Sequence, residues 1–172
     1  MKIAHIIPFI ILTFIFIRCD EDPTSDNDER TNSHKVTITL NGSTFSNETH
    51  TIETPLLISS GATLDTISMT TYCKVYGSPS DTPYSVDIVF PNHESGSYNW
   101  EGLLTNSFIN IQLTSSFYGF NQFISTTEGT TTITSYGNVG EPIIGNFSGN
   151  FLQRSTYDTV TINGNFSIQR VK

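Results

Sequence analysis

The chain has 172 residues, of which 14% are charged, and a formal net charge of −8. Its length is one domain's worth once the N-terminus is set aside. The charged fraction is well under the ~25% of ordinary soluble domains, and Thr, Ser and Asn fill the polar positions, as half-buried strands prefer. Lys and Arg form no cluster, which excludes nucleic-acid binding, because neutralising phosphates needs grouped cations.

In chain order, the first element is an export segment. Lys2 supplies a positive start, and Ile6 to Ile17 is apolar except for Pro8 and Thr13. This run suits a signal peptide and falls short of the ~20 residues that a spanning helix needs. Cys19 follows almost at once. A Cys in that place resembles the lipobox of bacterial lipoproteins, in which the Cys is acylated and becomes the first residue of the mature chain. Ile17 suits that pattern, Phe16 less so, and Arg18 departs from it, standing where Gly, Ala or Ser is usual. An uncleaved short anchor is the competing expectation. The resemblance implies a signal peptide over residues 1–18, lipidation at Cys19 and the membrane as a partner. Two or more acyl chains hold a protein stably where one binds only marginally.

Residues 19–34 form the next unit. Six of the sixteen acids fall between Asp20 and Glu29, and the stretch from Asp20 to His34 offers no aliphatic or aromatic carbocycle to bury. A disordered acidic tether is expected, reaching roughly 20 Å as a flexible coil. Asp20, Glu21 and Asp22 look like the sorting signal that sends Bacteroidetes lipoproteins to the outer membrane and cell surface. An Asp at the same place in enterobacterial lipoproteins looks like an inner-membrane retention signal. Asp26-Asn27-Asp28 lacks the Gly and distant Glu of a calcium loop.

From Lys35 onward the hydrophobic period is two. Val36, Ile38 and Leu40 alternate with threonines before a turn at Asn41-Gly42. Val86, Ile88 and Phe90 precede Pro91-Asn92, and Ile109, Ile111 and Leu113 alternate with Asn110 and Gln112. The expected fold over residues 35–172 is all-β: a single antiparallel β-sandwich, or flattened barrel, of about eight to ten strands. Cys73 is expected inside as a small hydrophobe, beside Met69 and Val75.

The C-terminal third specifies a hairpin. Folded about Ser155-Thr156, it sets Gly145 opposite Phe166, Phe147 opposite Gly164, Gly149 opposite Ile162, and Phe151 opposite Val160. Rings facing glycines cover bare backbone, so these are structural positions. The early Asn41-Gly42, the Gly96-Ser97-Tyr98 strand, the Gly129, Ile133 and Thr134 strand and this closing hairpin together resemble small Bacteroidetes-type surface lipoproteins with a β-sandwich domain of unknown function. The resemblance implies a surface-facing sandwich and brings no catalytic residues.

No catalytic constellation is legible. His5, His34, His50 and His93 lack metal-ligand spacing, and neither a G-x-S-x-G elbow nor a phosphate loop is present. The expectation is a protein that is not an enzyme, with no metal and no cofactor, acting as a binding or envelope-structural module. Tyr98 and Trp100, beside Asn99 and Glu101, are the candidate contacts for a glycan, because an exposed indole can stack on a sugar ring. The alternative is that Trp100 plugs an end of the core. Phe117-Tyr118-Gly119-Phe120 with Phe123 is either a core edge or a contact patch. An envelope protein docking on a sheet edge is the third candidate partner.

Overall fold

A computed structural model describes residues 33–55, 60–77, 85–103, 105–113 and 121–172. The signal segment, Cys19, the sorting residues Asp20, Glu21 and Asp22, and Phe117 to Phe120 lie outside these.

Among the described residues ten strands follow in order: β1 (Ser33–Gly42), β2 (Phe45–Pro55), β3 (Gly61–Asp65), β4 (Thr70–Tyr76), β5 (Ser85–Pro91), β6 (Gly96–Asn99), β7 (Phe108–Gln112), β8 (Gln122–Tyr136), β9 (Pro142–Gln153) and β10 (Thr159–Gln169). They form one antiparallel sheet in the order β2-β1-β10-β9-β8-β7-β5-β4-β3. Both β7 and β6 pair with β8, β7 along its first part and β6 along its second. The sheet curls like a half-barrel, and a bridge between Ala62 and Arg170 ties β3 to the residues beyond β10. Hydrogen bonds from Val171 N–H to the Ala62 carbonyl (2.8 Å) and from Leu64 N–H to the Lys172 carbonyl (3.2 Å) continue that tie. The all-β architecture is as the period-two pattern requires.

The alternation in sequence becomes the two faces of the sheet. Val36, Ile38, Leu40, Val86, Ile88, Phe90, Ile109 and Ile111 are all fully buried. Each such side chain contributes roughly 1.5–3 kcal/mol relative to leaving it exposed. Gly42 bends the β1–β2 connection at φ +102°, a conformation that costs a glycine little. The closing hairpin has the expected register, with Gly145 opposite Phe166, Phe147 opposite Gly164, Gly149 opposite Ile162 and Phe151 opposite Val160. Its rings stack along the core, Phe147 to Phe166 at 6.4 Å between centroids.

One boundary and one side-chain placement differ from expectation. The sheet begins at Ser33 rather than Lys35, and His34 is buried within β1. Its imidazole Nδ1 accepts the Gln169 N–H at 3.2 Å, which draws it out of the tether and into the sheet. Met69 is not beside Cys73: it sits in the β3–β4 turn at φ 51° and is exposed, whereas Cys73 and Val75 are buried.

Candidate functional site

Trp100 is buried, with 2% of its surface exposed. Its indole N–H donates to Thr131 Oγ1 at 2.9 Å, and its ring meets Phe151 edge-on at 5.0 Å. The floor beneath it is bare backbone. Gly129 and Gly149 pair across β8 and β9, and a Cβ on either would collide with the indole. The β8 strand slips register between Ser125 and Gly129, which brings the two glycines together. Tyr98 stacks on Phe90 at 5.4 Å and gives its hydroxyl proton to the Glu94 carbonyl at 2.9 Å. Stacking on a sugar needs a free ring face and the indole has none, so the glycan contact does not hold for Trp100. Trp100 is the core plug. Phe123 is likewise fully buried.

Two further titratable groups, Cys73 and His34, are buried in the sheet. The Cys73 thiol is fully buried, which pushes its pKa far above the usual thiol range and removes its reactivity. Burial lowers the His34 pKa. His93 is exposed in the turn after β5. Among the described residues no group of three or more His, Cys, Asp or Glu is placed to hold a metal ion.

The outward face of the sheet is more distinctive. Strand register aligns Thr51, Thr37, Asn165, Asn146, Thr132 and Ser97 in one row across β2, β1, β10, β9, β8 and β6. A second row, two residues along each strand, is Thr49, Thr39, Asn163, Ser148, Thr130 and Asn99. Neighbouring strands lie about 4.8 Å apart and the rows roughly 6.7 Å apart, so these side chains make a regular lattice. No residue of either row is charged or apolar.

Most of the lattice is satisfied internally. Thr37 pairs with Thr51 at 3.1 Å, Thr39 with Thr49 at 3.0 Å, and Ser97 with Thr132 at 3.1 Å. Ser148 donates to Asn163 at 2.5 Å, and Thr130 to Asn99 at 3.3 Å. Asn146 and Asn165 stand directly opposite each other, are both exposed, and form no side-chain hydrogen bond among the described residues. They line a shallow groove of about 320 Å³ whose other walls include Thr37, Thr134, Ile144 and Ser167, with Gly145 and Phe166 also contributing. Ile144 is an exposed apolar side chain on this face. Lys35, at the groove's edge, pairs with Glu53 at 3.4 Å.

This lattice was not among the expected sites. Its composition is visible as the Ser/Thr/Asn excess, but its geometry arises only when six strands distant in sequence come into register. No protein-family model, curated protein or solved structure matches this chain.

Proposed function

We propose that the chain is a cell-envelope lipoprotein, held at the membrane by acylated Cys19, that presents its all-β domain on an acidic tether as a non-catalytic binding module. The surface-facing placement follows the Bacteroidetes-type lipoproteins that its motifs resemble. The apolar run ending at Ile17, the Cys just beyond it and the acids after that support the anchoring half.

One observation carries the binding half: the two uncharged rows spanning six strands. A face built for solubility alone interleaves charges of both signs. In these two rows hydroxyls and amides replace them, so the rows suit a ligand recognised by hydrogen bonds rather than by charge.

Mass spectrometry of the membrane-extracted protein tests the anchor. The expected species begins at Cys19 and carries acyl chains. An intact Met1 would refute this and favour the uncleaved anchor that Arg18 suits. An unmodified Cys19 would also refute it.

A further inference from the structure

We infer that the groove centred on Asn146 and Asn165 binds a sugar unit of a neutral glycan. This rests on the reading of the domain as a binding module and names the ligand class of that face.

The first argument is an accounting of hydrogen-bonding capacity. Of the twelve side chains in the two rows, ten close into five cross-strand pairs. The Asn146–Asn165 pair in β9 and β10 is the exception. Each carboxamide carries an acceptor oxygen and two N–H donors. Two such groups side by side present donors and acceptors together, which is what neighbouring hydroxyls on a sugar ring require, since each hydroxyl both gives and accepts.

The second argument is shape and polarity. Ile144 lies two residues from Asn146 along β9, on the same face, and offers an apolar surface to the C–H side of a ring. Small-ligand sites combine such apolar contact with a few convergent polar groups. The groove volume of about 320 Å³ lies at the lower end of the usual range for such sites, which suits one or two sugar units rather than a larger ligand.

The third argument is charge. Neither row carries any, and Lys35, the charged residue lining the groove, is engaged by Glu53. An anionic ligand would gain little there and would meet the field of a chain with net charge −8. The rows continue on both sides of the pair, so a polymer lying across the strands would meet hydroxyls and amides along its whole path.

The test uses the full-length protein in detergent, applied to an array of neutral and anionic oligosaccharides, with affinity electrophoresis in dextran, galactomannan and xyloglucan. Retention by a neutral glycan is expected. The double variant Asn146→Ala, Asn165→Ala should lose binding by roughly tenfold or more, as for removing two sets of ligand hydrogen bonds. Its melting temperature should not change, because neither amide has a side-chain hydrogen bond among the described residues. Val139→Ala, in the exposed turn between β8 and β9 and outside both rows, should bind like the parent. Absence of binding to every neutral glycan would overturn the proposal, as would binding to anionic glycans alone or full binding by the double variant. The outcome is separable from the anchoring result, because acylation of Cys19 is read by mass and glycan binding by retention.

Discussion

Replacing Thr131 by valine would keep the shape of the wall around Trp100 and remove the hydroxyl that receives its indole N–H. A buried donor left unpaired costs about 1–3 kcal/mol, so Thr131→Val should lower the denaturation free energy by that amount, as followed by the fluorescence of this single Trp. Along the closing hairpin, Phe166 is buried whereas Ser167, its neighbour, points to the outer face. Phe166→Ala should cost about 3–5 kcal/mol and Ser167→Ala about 0.5 kcal/mol or less. Equal melting of the two variants would contradict the register. The hairpin partners were legible in the sequence because glycines and large apolar side chains alternate with period two on both strands, and the fold about Ser155-Thr156 sets Phe147 and Phe166 over glycines and Gly149 under Ile162. The plugging of the core by Trp100 was legible only as one of two readings, because the contact that decides it was not. It depends on Gly129 meeting Gly149 across a bulge in β8, and a bulge leaves no periodic trace. Nor could Asn146 and Asn165 be singled out from the other asparagines. Whether an amide is paired depends on which residues the register brings beside it.

At the scale of the element, the start of β1 is sensitive to pH. Burial holds the His34 pKa below its ordinary value of 6.5, so the unfolded chain takes up the proton first as pH falls. Stability should therefore be complete above pH 6.5 and decline as pH drops from there toward the lower folded pKa. The ring also loses its acceptor function, because a protonated Nδ1 can no longer receive the Gln169 N–H. Urea melts from about pH 7 to about pH 5 should show this slope. His34→Gln, which keeps an acceptor and does not titrate, should flatten it, and an unchanged slope would exclude His34 as its source. The sequence placed this residue in the tether because nothing from Asp20 up to it is aliphatic or carbocyclic. What holds it is a backbone N–H near the other end of the domain.

For the whole domain, Cys73 is a reporter of global opening. Its thiol is sealed in the core beside Val75 and Ile88 across the β4–β5 pair. Alkylation in native buffer should be slow and should accelerate in step with unfolding as denaturant is added. Labelling that outruns unfolding would reveal a local opening of β4. Acylation of Cys19 would leave this the only free thiol in the chain.

The position of β10 has a consequence for how the molecule is made. It lies between β1 and β9, so the first strand of the domain pairs with its last. Until residues 159–169 emerge, β1 has only β2 beside it, and a lone hairpin is at best marginally stable in water. Pairings so distant along the chain also form slowly. In a polypeptide synthesised from its N-terminus, the β1–β2 hairpin would therefore lack its inner partner until nearly all of the chain had been translated. If the chain is exported as proposed, that delay leaves the segment nearest the anchor unpaired while it threads through a translocation channel, and its pairing with β10 is completed on the far side.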